Sequence, residues 1–206
     1  MAHQPRCVRR RGSGLRLIQN NLEFQFPMVH LPDFDFTPAL AGTSVSLRPL
    51  NPDDFESLYA VAADPLLWEQ HPSPLRYQRE VFKAEIWDGA MKSAGALVMV
   101  DPTTGTVIGS SRYYDWDPQQ QEVAIGYTFL ARAHWGGAVN GEVKRLMLQH
   151  AFRWAKVVWF HIGVSNQRSR KAMEKIGGKF SHEADRLSAT GVAIRHAYYR
   201  IDAPKL

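Results

Sequence analysis

The chain has 206 residues, 45% hydrophobic and 22% charged, enough for one domain with its own core. A single cysteine, Cys7, excludes an internal disulfide and a multi-thiolate metal site, and fits a reducing, cytoplasmic setting. The formal charge of +5 sits at the start: residues 1–27 carry five arginines against one acid, Glu23, while the remainder holds 20 basic and 19 acidic residues.

Residues 1–40 are punctuated by Arg, Pro and Gly and read as a basic, disordered extension, leaving 41–206 as the domain. Such an arm can contact nucleic acid or an anionic membrane. The plainer expectation is a solvated leader without a nucleic-acid partner. No apolar run approaches the roughly 18 residues of a membrane helix. The Arg-rich start lacks the apolar stretch of a secretion signal.

SVSLRPL (44–50) alternates and predicts a first strand. In NPDDFESLYAVAAD, Asn51 is the expected N-cap, Pro52 opens the helix, and Phe55, Leu58, Tyr59 and Ala62 share a face. A second helix is expected from about Gln78 to Lys92, with Phe82, Ile86 and Ala90 inward. Three strands follow, ALVMV, TVIGSSRYYDW and EVAIGYTFL, separated by the turns DPTTG and DPQQ, which predicts an antiparallel meander. After a glycine-rich loop comes a helix capped by Asn140, with Val143, Leu146, Met147, Ala151 and Trp154 on its buried side. VVWFHIGV is a buried strand, 166–176 a short helix ended by Gly177 and Gly178, and two last strands are joined by SATG. The expected fold is α/β (α+β): one domain, a mostly antiparallel sheet of six to seven strands, and about four helices.

The loop Trp135, Gly136, Gly137, Ala138, Val139, Asn140 carries the first functional signal. Small residues leave backbone N–H groups unshielded where the following helix has its positive end, and such a corner binds phosphate. A tight packing turn would look the same. GGAVNG fits a dinucleotide fingerprint in form, but an antiparallel meander precedes it and no acid lies between Glu142 and Glu174. A nucleoside-triphosphate loop would need Gly-Lys-Ser/Thr, which is absent. The third option is coenzyme A, whose pyrophosphate sits on a strand–loop–helix corner.

At this point the chain resembles the GNAT N-acetyltransferases, most of all the branch with the ribosomal-protein N-terminal acetyltransferases. The family loop Q/R-x-x-G-x-G/A corresponds to Ala133 through Ala138, with Ala133 departing from Gln or Arg and Arg132 one place earlier. Asn166-Gln-Arg-Ser169, followed by Ala172-Met-Glu-Lys-Ile-Gly177-Gly178, is similar to the family's N-x-x-S helix start, and IGYTFL to the end of its fourth strand. The likeness spans about 44–201.

The resemblance implies an acyltransferase moving acetyl from acetyl-CoA, as co-substrate, to an amine. It implies pantetheine along the backbone of Thr128, Phe129 and Leu130, pyrophosphate on the amides of Trp135 to Asn140, and Asn166 on the pantetheine arm. Ser169 would be the acid near sulfur; Lys144, Arg145, Arg170 or Lys171 would meet the 3′-phosphate. For the base, Glu122, expected on one strand face with Ala124, Gly126 and Thr128, competes with Asp115 and His71. Trp68, Glu69, His71, Tyr113, Tyr114 and Asp115 are the expected acceptor wall. The acceptor itself, a peptide N-terminus or a small-molecule amine, stays open, as does a rival reading as a non-catalytic acyl-CoA-binding or nucleic-acid-associated module. No histidine spacing suggests a metal. An exposed aromatic strand face would suit a homodimer.

Overall fold

The computed structural model describes residues 33–188 and 191–204. The Arg-rich leader with Cys7, and the middle of the SATG turn, lie outside the described residues. Eight strands form one sheet: β1 (Leu40–Ala41), β2 (Ser46–Pro49), β3 (Ala96–Val100), β4 (Val107–Asp117), β5 (Glu122–Leu130), β6 (Val157–Gly163), β7 (Lys179–Leu187) and β8 (Ala193–Asp202). Their order is β1-β2-β3-β4-β5-β6-β8-β7, and every neighbouring pair is antiparallel except β5 and β6.

The count corrects the expected six to seven. The extra strand is β1, which pairs Leu40 with Leu47 and Ala41 with Ser46 at the sheet edge. A strand of two residues offers no alternation to detect.

Four helices are described: α1 (Phe55–Ala62), α2 (79–92), α3 (Val139–Ala151) and α4 (Gln167–Lys175). A turn of 3₁₀ helix, Pro52–Asp54, leads into α1, and the Asp54 carboxylate accepts the Asn51 N–H at 2.8 Å. The middle of α2, Lys83–Trp87, widens into a π turn. The Ile86 carbonyl there accepts a hydrogen bond from Arg112 of β4 at 3.0 Å, an outside partner of the kind π turns accommodate.

Side-chain alternation divides the core in two. On one face α3 packs Val143 and Met147 against Val123, Ile125, Val158 and Phe160. On the other, α1, α2 and the loop between them bury Leu58, Phe82, Ile86 and Trp68 against Val98 and Phe129. Over β6 to β8 this second face carries Trp159, His161, His182 and Tyr198, whose rings pack at 4.3–6.4 Å between centroids.

β5 changes face along its length. The register with β4 shifts between Ser110 and Arg112, and Tyr127 adopts φ +51°, so one extra residue sits in β5. Val123 and Ile125 below the bulge and Leu130 above it therefore share the α3 core although their spacing is odd. The expected row of Glu122, Ala124, Gly126 and Thr128 is broken at this point. Thr128 turns toward α3, where its hydroxyl accepts from Lys144 at 2.7 Å.

Candidate active site

The bulge has a consequence for the next strand. β5 and β6 are in register at Glu122–Val157, Val123–Val158 and Ala124–Trp159 only. Beyond that, β5 stays laddered to β4 as far as Leu130 opposite Gly109, and β6 to β8 as far as Gly163 opposite His196. Two strand edges thus part from a shared base. Unpaired edge N–H and C=O groups of this kind accept an added extended segment.

Both parted strands run into helix starts. β5 leads through residues 131–138 into α3, and β6 through 164–166 into α4. The first loop is held by the Trp135 indole N–H, which donates to the Leu130 carbonyl at 2.8 Å, and by Arg168 stacked 4.1 Å from the Trp135 ring. Gly136 takes φ +73°, a conformation that favours glycine. No side chain caps α3, whose N-cap is Ala138. The helix begins one residue before Asn140, which lies inside the first turn instead of capping it. The first-turn amides thus have no side-chain cap. At α4 the buried Asn166 caps the helix, its side chain accepting the Ser169 N–H at 3.1 Å.

On the opposite face, a groove of about 330 Å³ is lined by Asp115, Glu122, Trp159, His161, Arg186 and Tyr198, among others. His161 is the first outward-facing β6 residue past the point where β5 leaves. Its Nδ1 accepts from Arg186 at 3.0 Å and lies 2.9 Å from the Tyr114 hydroxyl. A guanidinium only donates, so Nδ1 is the lone-pair nitrogen and Tyr114 donates to it as well. Burial, and then the charge of Arg186, bring the His161 pKa down to about 4. Arg186 also pairs with Asp115 at 2.9 Å. The result is a neutral imidazole and a phenol beside the strand opening, oriented by an ion pair.

The remaining sequence candidates fall into distinct places. Glu122 lies in the zipped base, where it accepts the Trp159 indole N–H at 2.8 Å. Asp115 lines the groove. Tyr113 does not: it is fully buried under α3 and donates to the Met147 carbonyl at 2.8 Å, because adjacent strand residues face opposite ways and Tyr114 took the groove side. Trp68 is likewise core, its indole donating to the Ala62 carbonyl at 2.8 Å and its ring 5.6 Å from Phe129. His71 is enclosed between the Ser73 amide and Arg76, and burial followed by the Arg76 charge lowers its pKa to about 3. Arg132 pairs with Asp64. Among the cations expected at a 3′-phosphate, Lys144 is buried, Arg145 bonds Gln149, and Arg170 bonds the Tyr199 hydroxyl.

Sequence reading missed His161 and Arg186. The signal was present in VVWFHIGV, where Trp159 and His161 alternate with Val158, Phe160 and Ile162. Among the described residues, no group of His, Cys, Asp and Glu could hold a metal ion, and no helix is long and apolar enough to cross a membrane.

An open strand edge that ends at uncapped helix amides can take an extended ligand carrying a phosphate. The chain belongs to the GNAT family: the acetyltransferase (GNAT) domain model matches residues 44–179. It is thus an acetyltransferase, of a family that takes acetyl-CoA as co-substrate. No curated protein matches it. Among solved structures it is similar to a GCN5-related N-acetyltransferase from Brucella melitensis at 21% identity and TM-score 0.67, covering 84% of this chain and 80% of that one. RimJ of Mycobacterium smegmatis, in complex with CoA-disulfide, shares 18% identity at TM-score 0.60, covering 77% and 82%. The microcin C7 self-immunity acetyltransferase MccE, in complex with acetyl-CoA and AMP, shares 14% at TM-score 0.63, covering 82% and 98%. These likenesses establish the fold.

Proposed function

We propose that the chain transfers acetyl from acetyl-CoA directly to a primary amine, of a protein N-terminus or a small molecule, and that it belongs with the ribosomal-protein N-terminal acetyltransferases. The observation that carries this reading is the parting of β5 from β6 beside an uncapped α3. The pantetheine arm extends the sheet along Thr128, Phe129 and Leu130, and the pyrophosphate rests on the amides from Trp135 to Asn140. Asn166 holds the arm. A β5 amide faces the thioester carbonyl and receives the oxyanion, and Ser169 protonates the departing thiolate.

The acceptor enters from the groove face. Its amine must lose a proton before or during attack, since free amines sit near pKa 8 to 10.4. Glu122 is one candidate base, but it lies below the opening and its carboxylate is engaged by Trp159. Tyr114 and His161 stand nearer the opening and orient the amine as neutral hydrogen-bonding groups, since an imidazole with its pKa lowered to about 4 is too weak to be the base itself. Asp115 supports them through Arg186.

The test is release of CoA thiol from acetyl-CoA, measured against N-terminal peptides, polyamines and amino acids. Release that requires an amine, and that drops in His161→Gln, supports the reading. An enzyme that neither binds acetyl-CoA nor releases thiol with any amine would end it.

A further inference from the structure

We propose that Lys144 is a positioning residue for the transfer, holding the β5 bulge in place through a hydrogen-bond chain that ends on the Gly126 carbonyl; this role rests on the opening being the thioester site. Lys144 projects from the second turn of α3 toward the gap. Its Nζ donates to Thr128 Oγ1 of β5 at 2.7 Å and lies 5.6 Å from the ring centroid of Phe160 on β6, so the amine spans both walls. The Thr128 and Ser111 hydroxyls are 2.8 Å apart, and Ser111 Oγ is 3.4 Å from the Gly126 carbonyl. Lysine only donates, so Thr128 Oγ1 accepts from it; whichever hydroxyl donates to the other, the chain ends on the Gly126 carbonyl, which lies 3.4 Å from Ser111 Oγ and 3.5 Å from Thr128 Oγ1. That carbonyl belongs to the peptide entering Tyr127, the residue with φ +51°. Fixing this peptide fixes where the next β5 amides point, and those amides are the ones assigned to the acyl arm.

Packing does not require a lysine here. The side chain is 6% exposed, and an unbranched apolar residue would fill the same space without burying an amine. Burial alone brings its pKa down to about 7. Ionisable groups on the surrounding elements are engaged elsewhere. Glu142 and Arg145 of α3 pair with each other, and His150 bonds the Asp35 carbonyl. Tyr113 of β4 bonds the Met147 carbonyl, and Arg170 of α4 bonds Tyr199 of β8. Near neutrality the amine therefore exchanges between a strong charged donor and a weaker neutral one.

The experiment compares wild type, Lys144→Met, Lys144→Arg and Thr128→Val by kcat/KM for acetyl-CoA from pH 5.5 to 9, with melting temperatures alongside. The wild-type profile rises as the acceptor deprotonates and bends over near pH 7, where Lys144 loses its proton. Lys144→Met and Thr128→Val fall about tenfold, the loss expected when one charge-assisted hydrogen bond goes. In Lys144→Met the bend is gone and the melting temperature holds or rises, because a buried amine has been removed. Lys144→Arg, charged throughout, recovers to within about threefold of wild type and also lacks the bend. A Lys144→Met enzyme with the wild-type rate and the same bend overturns the role. So does a rate loss that tracks a lower melting temperature and is not restored by arginine. If wild type itself binds no acetyl-CoA, the assignment of the opening falls, and this role with it.

Discussion

β5 treats its two neighbours differently. Toward β4 it is laddered from Glu122 to Leu130; toward β6 it is in register for three residues and then parts. The glycines on the two sides separate the purposes. A Cβ on Gly109 of β4 would lie 2.2 Å from the Phe129 carbonyl oxygen, so the protein's own backbone fills that space. A Cβ on Gly136 would meet nothing within 4 Å, and one on Gly137 only the His134 carbonyl at 3.9 Å. One edge spends its small residue on closing the sheet. The other keeps room for something the fold does not supply.

The largest effect is expected on the open edge. A Cβ at Gly137 meets only ordinary contact, so Gly137→Glu starts in open space, yet it brings a carboxylate to the amides assigned to the pyrophosphate. Acetyl-CoA binding, followed by calorimetry, is to be abolished while the melting temperature stays near wild type. Unchanged affinity would remove the glycine loop from the site. Gly109→Ala is the mirror image. Pushing a methyl into the Phe129 carbonyl is to cost about 3 kcal/mol of stability or more, read from urea unfolding. A near-neutral result would mean that the β4 edge gives way easily.

The same contrast explains what could be read in the residues beforehand. α2, predicted from about Gln78 to Lys92, runs over 79–92 with Phe82, Ile86 and Ala90 buried, because a 3.6-residue apolar period is explicit in the residue order. The antiparallel meander was equally visible, since DPTTG and DPQQ mark their turns. The bulge was not. Tyrosine at φ +51° leaves no mark in an alternating pattern, and one inserted residue moved Thr128 to the other face. Tyr113 and Tyr114 are indistinguishable as letters until that register is known. Lys144, expected at a 3′-phosphate, is buried instead, and lysines are so seldom fully buried that the residue order gives no sign of it.

Ser169 tests the chemistry at the opening apart from binding. As the proposed acid, its replacement by alanine is to lower kcat about 100-fold, the low end for general acid catalysis, with acetyl-CoA affinity nearly unchanged. An equal loss in both would make it a binding residue. Acid then probes the groove face. The folded protein holds His161 and His71 neutral, with pKa values lowered to about 4 and 3, whereas the unfolded chain protonates them near 6.5. Their contribution is complete above pH 6.5 and declines as pH falls toward those lowered values. The loss is on the order of 2 kcal/mol for each ring by pH 5. His161→Asn should flatten part of that decline in urea unfolding curves measured from pH 7 to 4. A wild-type stability constant down to pH 4.5 would contradict the burial of both rings.

The smallest expected effect separates a cap from a ligand contact at α4. Asn166 already has a local duty, accepting the Ser169 N–H at 3.1 Å, and its loss to alanine is to cost about 1 kcal/mol of stability. Aspartate caps a helix start as well as asparagine does, so Asn166→Asp should restore that stability. Aspartate, however, has no amide hydrogens to give to a pantetheine carbonyl, and it adds a negative charge near an anionic coenzyme. If α4 only frames the opening, the aspartate variant binds acetyl-CoA like wild type. If Asn166 touches the arm, stability returns and affinity does not, and only the open side of β5 accounts for the difference.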